Sequence, residues 1–311
     1  MKRMAVSLSV MIFGLIVLLL PAAAADADLS LIRAAKTGDA GAARQALAAG
    51  ANPNRVDFAG DTVLIHAART GHGGVAKLLL AGDLNLEARN RDGETALLTA
   101  SRACAGGVIR LLLAAHADAG VTDGAGRTAL MLAAQRCGGA VVQQLVPVTR
   151  DLNATDKDGW TALWHAADRV NSPAFSVLLV AGASPALAPA GRRGLLWQVV
   201  ERQQTGLVAL LLSHRAPLET LPDTGGTLLM LAARGGDAGI VRAILTAGAD
   251  PNQRNALGQT ALMLAATANQ AEAAAALLEA KADPGLRDKR KETALDMAKA
   301  TGADAVAALL Q

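Results

Sequence analysis

The sequence predicts an all-α solenoid of stacked helix-turn-helix pairs, and three observations predict it. A Gly-x-Thr-x-Leu pattern recurs every 33 residues, as Gly60-Asp61-Thr62-Val63-Leu64, Gly93-Glu94-Thr95-Ala96-Leu97, Gly126-Arg127-Thr128-Ala129-Leu130 and Gly159-Trp160-Thr161-Ala162-Leu163. Each unit carries two short apolar runs separated by a break: an Ala pair such as Ala67-Ala68 or Ala133-Ala134, then a run such as Leu78-Leu79-Leu80 or Leu111-Leu112-Leu113. The chain has only 3 Trp, 3 Phe and no Tyr, so its core must be built from many small Ala, Leu and Val contacts, which suit thin helical layers better than one large interior.

Residues 1–25 read as an export signal. Lys2 and Arg3 precede an apolar run from Ala5 to Leu20, and small residues at Ala23 and Ala25 form a cleavage site before Asp26. The run is short for a full membrane span, no Cys follows it to carry a lipid, and later segments are interrupted by charges and Gly, so no stable membrane anchor is expected after cleavage. Residues 26–56 read as an N-terminal cap, with Leu31, Ala34-Ala35 and Gly38 in register but no Gly-x-Thr. Seven full repeats follow, at 57–89, 90–122, 123–155, 156–188, 189–221, 222–254 and 255–287. Residues 288–311 form a C-terminal cap, made more polar by Asp296, Lys299 and Asp304. The least typical unit is 189–221, where Gly194 replaces Thr, Val199-Val200 replaces the Ala pair, and Pro189, Pro217 and Pro222 crowd the turns; it reads as a hinge or as simple drift.

The pattern resembles the ankyrin repeat, with Thr-Ala-Leu-Met-Leu-Ala-Ala standing for the family's Thr-Pro-Leu-His-x-Ala-Ala, over essentially all of residues 26–311. The resemblance implies paired helices joined by extended β-turn loops, with the Thr hydroxyl fastening the start of each first helix. The family's His is replaced by Ile65, Leu98, Met131, Trp164, Trp197, Met230, Met263 and Asp296, so apolar packing should stand where that His makes polar bonds.

Catalytic motifs are absent: there is no GxxxxGK[ST] loop, no HExxH and no Gly-x-Ser-x-Gly. His66 and His165 hold equivalent positions three repeats apart, too distant for one metal site, and His72, His116 and His214 suggest no site; no cofactor or metal is expected. Cys104 and Cys137 are one repeat apart, at the turn between the two helices of neighbouring units. Stacked layers place equivalent atoms about 8 to 10 Å apart, while a disulfide needs Cα atoms within about 7 Å. Two free or loosely paired thiols are therefore the favoured reading and a disulfide the alternative.

The resemblance also implies binding through turn tips and first helices, which form a concave face. Those positions carry Arg69, Arg102, Arg136, Arg169, Arg202 and Arg234 at helix ends, and Arg89, Arg91, Arg127, Lys157, Arg193 and Arg254 at turns. Acids there are fewer: Asp61, Asp92, Glu94, Asp158, Asp168, Glu201 and Asp223. Trp160 and Phe58 are candidate anchors, whereas Trp164 and Trp197 fall inside first helices and should pack between repeats. Without Lys2 and Arg3 the chain carries 28 basic and 27 acidic residues, a balance that gives no reason to expect nucleic acid. The expectation is a monomeric, non-enzymatic scaffold, periplasmic or secreted, that holds a protein partner with an acidic surface. An inhibitor or immunity-type binder of one exported enzyme is the alternative, and a redox, metal or haem-associated protein a more distant one.

Overall fold

The structure, a computed structural model, describes residues 25–218 and 225–311. The expected export signal lies outside the described residues apart from Ala25, and so do Pro222 and Asp223. The chain divides into two compact units, Met1–Lys157 and Asp158–Gln311. The described residues of both are helical with β-turn loops, and none of their helices is long and apolar enough to cross a membrane.

The first unit opens on α1 (25–37) and α2 (Ala40–Ala48), followed by the pairs α3 (Val63–Thr70) and α4 (Gly73–Leu79), α5 (Ala96–Arg102) and α6 (Gly106–Ala114), and α7 (Ala129–Arg136) and α8 (Gly139–Leu145). The second holds α9 (Ala162–Asp168) and α10 (Ser172–Val180), α11 (Leu195–Glu201) and α12 (Thr205–Ser213), α13 (Leu228–Gly235) and α14 (Ala238–Thr246), α15 (Ala261–Thr267) and α16 (Ala271–Glu279), and α17 (Ala294–Thr301) and α18 (Asp304–Leu309). First helices pack on first helices and second on second, as α3 on α5 on α7 and α13 on α15 on α17. The Ala pairs sit at these contacts and are fully buried at Ala67-Ala68 and Ala133-Ala134, where a methyl group lets successive layers approach closely. Trp164 and Trp197 are buried among the first helices, as their positions predict.

These helices are short, so their ends matter. Thr62, Thr95, Thr128, Thr161, Thr227, Thr260 and Thr293 each accept the backbone N–H three residues on, satisfying a donor the helix leaves open. Where the expectation was purely apolar packing in place of the missing His, the structure adds weak polar closure: the Thr128, Thr227 and Thr260 N–H groups point at the Met131, Met230 and Met263 sulfurs, and Asp296 takes the Thr293 N–H at 2.9 Å.

Ahead of each such Thr a side chain builds the turn. Asp57, Asn90, Asp123, Asn255 and Asp288, all in register, each offer one oxygen to the backbone N–H groups two and four residues on. In the repeat at 189–221 the equivalent residue is Pro189, which has no side-chain acceptor; only its carbonyl accepts, from the Arg192 N–H at 3.0 Å. There the left-handed conformation moves from the register position to Gly191 (φ 73°), and α11 starts at Gly194 without a side-chain cap.

The favoured reading of the cysteines as free or loosely paired is corrected: Cys104 and Cys137 are disulfide-bonded, with Cα atoms 5.2 Å apart. The spacing of regular layers does not apply because Cys137 leaves the repeat geometry. At the same register position Gly38, Gly71, Cys104, Val170, Gln203, Gly236, Asn269 and Gly302 all have φ between 53° and 90°, whereas Cys137 is extended at φ −87°, ψ 151°. That rotation carries Cys137 out of the regular turn, close enough to Cys104 to bond. The following helix is also irregular, ending in a 3-10 turn at Val146–Val148 around Pro147.

Candidate functional site

In the first unit the acids of the turns meet the arginines at the ends of the first helices. Asp61 is buried where α3 begins; Arg69, two turns later on the same helix face, donates from Nη2 to both its oxygens at 2.8 and 2.7 Å. The next repeat contributes Asn90, whose amide donates to Asp61 at 2.9 Å. Glu94 repeats the arrangement: it accepts Arg102 Nε at 2.6 Å and the Thr99 hydroxyl at 3.3 Å, and Arg102 reaches on to Asp123 at 3.3 Å. Asp123 in turn holds Arg127, Nε to Oδ2 at 2.9 Å. Burial acts to raise the Asp123 pKa, but the backbone and side-chain hydrogen bonds of Arg127 with its charge outweigh it, so the carboxyl sits below its ordinary value.

This ladder lines an open recess of about 590 Å³ with Arg69, Arg102 and Arg127 against Asp92, Glu94 and Asp123. Three of the arginines expected to meet a partner therefore bind their own protein, and Arg102 also links its repeat to the next through Asp123. Three more cations hold backbone. Arg89 donates to the Gly93 and Thr122 carbonyls at 2.8 and 2.6 Å, Lys157 to Gly124 at 2.7 Å, and Arg254 to Gly258 at 3.0 Å and to Arg287. Each of these side chains ties one turn to the next.

Arg91, Arg136 and Arg234 are exposed and make no ion pair or hydrogen bond through their side chains among the described residues. Arg234 shows why: eight residues before it stands Gly226, where Asp61 and Glu94 stand before Arg69 and Arg102. Arg136 lies one residue past the register position, which is held by Gln135.

The polarity of the pairing reverses in the second unit. Asp168 occupies the helix-end position, and Arg202 of the next repeat binds it at 3.1 Å with Arg169 at 3.7 Å. Arg193 occupies the turn position but does not reach Glu201, eight residues on; its guanidinium lies 5.2 Å over the Trp197 ring. Its neighbour Arg192 lies 5.2 Å over Trp160, whose ring also packs against Trp164 and His165 at centroid distances of 6.0 and 5.3 Å. Trp164 is locked by its indole N–H, which donates to the Leu187 carbonyl at 2.6 Å. At the start of the chain Phe58 is 95 % exposed on its turn, beside Leu29 and Val56.

The one group of metal-ligand type among the described residues is Asp57, Asp61 and His66, whose ligand atoms lie within 4.8 Å of one another. Every member is engaged: His66 Nε2 meets Asp57 at 2.9 Å, Asp61 serves Arg69 and Asn90, and the Lys36 ammonium stands 3.7 Å from Asp57. A further cation would have to displace two that are already there, so the cluster acts as a brace. Burial and then Lys36 hold the His66 pKa below its ordinary value against the pull of the two carboxylates.

The sequence alone did not single out Arg192, the half-buried acceptor Asp57 or the buried acceptor Asp123. The signal for the ladder was present as an acid followed by Arg eight residues later, in two successive repeats.

Helix pairs, β-turn loops, Thr caps and a side-chain ladder between layers define a repeat scaffold of the kind that presents turns and helix ends to another molecule. The model of the family described as ankyrin repeats (3 copies) matches residues 31–114, 101–188 and 229–311, more than half of the chain, and the chain belongs to that family. Ankyrin repeats are generally protein–protein interaction scaffolds. No curated protein matches the chain.

Proposed function

We propose that the chain is an exported bacterial scaffold, periplasmic or secreted and monomeric, which holds a protein partner with an acidic surface on the face made by its turns and first-helix ends and catalyses no reaction of its own. One observation carries the reading: Arg91 and Arg136 in the first unit and Arg234 in the second are exposed at turns and first-helix ends and have no internal side-chain partner among the described residues, whereas Arg69, Arg102 and Arg127 are bound within the fold. A rigid frame with unsatisfied guanidinium groups suits carboxylates, which they grip through two parallel N–H bonds. The leader read in residues 1–25 favours a protein partner over nucleic acid, while the near balance of charge argues for neither.

The test is crosslinking in the native compartment, with the wild-type chain beside an Arg91→Glu, Arg136→Glu double variant. Wild type is expected to retain one or a few proteins that the variant loses. Equal capture by both would remove this face from the reading, and cell fractionation that leaves the chain in the cytoplasm would remove export.

A further inference from the structure

We propose that the irregular repeat at 189–221 carries a specific docking point for an acidic polypeptide segment, formed by Arg192, Arg193 and Arg202. This rests on the reading of the chain as a protein-binding scaffold. The three arginines line a shallow depression of about 270 Å³ together with Gln198 and Glu201.

Their state differs from that of the arginines in the ladder. Arg69 and Arg102 are met by buried carboxylates, whereas Arg192 and Arg193 meet ring faces, Trp160 and Trp197, and no acid among the described residues. Stacking on a ring engages the flat face of a guanidinium and leaves its N–H donors, which lie in the plane, open at the edge. The two side chains are thus oriented but not satisfied. Less rotamer freedom then remains to be lost when a carboxylate binds, which strengthens binding without any added contact.

The repeat register explains how the point arose. At the turn position Asp61 and Glu94 supply an acid to their own helix ends; in this repeat the turn carries Arg193 and the helix end Glu201, and the exchanged pair does not close. Pro189 removes the side chain that elsewhere organises the turn, leaving Arg192 and Arg193 side by side on its rim. Arg202 is anchored to Asp168 and adds charge to the wall. Glu201, exposed within the depression, disfavours a dense polyanion such as polyphosphate, while carboxylates alternating with apolar groups suit arginines flanked by indole rings.

The probe is an acetylated peptide in which Glu alternates with Leu, titrated into the full chain and followed by tryptophan fluorescence, since Trp160 and Trp197 lie under the two arginines. The variants are Arg192→Ala with Arg193→Ala, the Lys pair at the same positions, and Arg44→Ala on α2, away from the binding face, as a control; thermal melts verify that all are folded, since these side chains are exposed. The expected result is a spectral shift on binding, an affinity lower by about tenfold or more in the Ala pair, a partial loss in the Lys pair, and no change in the control. Unchanged affinity in the Ala pair, no binding by wild type, or tighter binding of inorganic polyphosphate at the same arginines would each overturn the assignment. If crosslinking still captures a partner through Arg91 and Arg136 while the peptide fails here, the scaffold reading stands and this docking point falls.

Discussion

Arg69 closes on Asp61 from eight residues away, one Nη2 group donating to both carboxylate oxygens at 2.8 and 2.7 Å, with Asn90 of the next repeat on the same carboxylate. The pair is asymmetric in exposure: the Asp61 side chain is 4 % accessible and that of Arg69 50 %. Removing the acid leaves two donors facing a buried gap, whereas removing the arginine lets water reach the carboxylate. Asp61→Ala should therefore cost about 2 to 3 kcal/mol and Arg69→Ala no more than about 1 kcal/mol in urea melts. Equal losses would show that the pair acts as a surface bridge.

The Cys104–Cys137 bond spans 33 residues and joins successive repeats. By the chain-entropy account, opening a loop of that size costs at most roughly 3 to 4 kcal/mol. Cys104→Ser with Cys137→Ser, or reductant on the wild type, should lower the melting temperature and speed hydrogen exchange across α8, whose end is already irregular. Identical melts with and without reductant would show that the bond contributes nothing to stability.

His66 is held neutral by burial and Lys36, so its folded pKa lies below its unfolded value. The unfolded chain then binds more protons, and the stability this residue contributes is complete above about pH 6.5 and is lost as pH falls through its folded pKa. Wild type should weaken with acidification from about pH 6.5, and His66→Gln should flatten that part of the profile. The carboxylates of Asp57 and Asp123 are lowered too, and their contributions should disappear only below about pH 3.8, as pH falls through their folded pKa values. Parallel profiles for the two proteins above pH 5 would contradict the assignment to His66.

Phe58 and Trp164 are aromatic residues in opposite environments. Phe58→Ser should change stability by less than about 0.5 kcal/mol, since the ring is 95 % exposed, and should be seen only as lost capture of a partner. Trp164→Ala should cost about 3 to 5 kcal/mol through its cavity and the Leu187 carbonyl it leaves without a donor. A melt of Phe58→Ser that shifts by several degrees would mean the ring packs on something in solution.

The helices, their Thr caps and the burial of the Ala pairs and of Trp164 and Trp197 were legible in the sequence, because period and capping act over a few residues. The anchoring roles of Arg89 and Arg254 were not legible, since the second carbonyl that each reaches lies 33 residues away. Nor was the disulfide, which depends on the backbone of one residue, Cys137, departing from a geometry that eight equivalent positions keep.

By itself the sequence determined the repeat and its length, since these follow from periodicity along one chain, and the face assigned to the arginines came from the family resemblance. Only the tertiary structure decided which arginines are engaged. Arg69, Arg102 and Arg127 are neutralised by buried acids, Arg192 and Arg193 are steadied on rings, and Arg91, Arg136 and Arg234 have no internal partner. The physical reason is reach: a guanidinium bonds whatever lies within about 3 Å of its nitrogens, and in a stack of layers that neighbour is often a residue from the adjacent repeat.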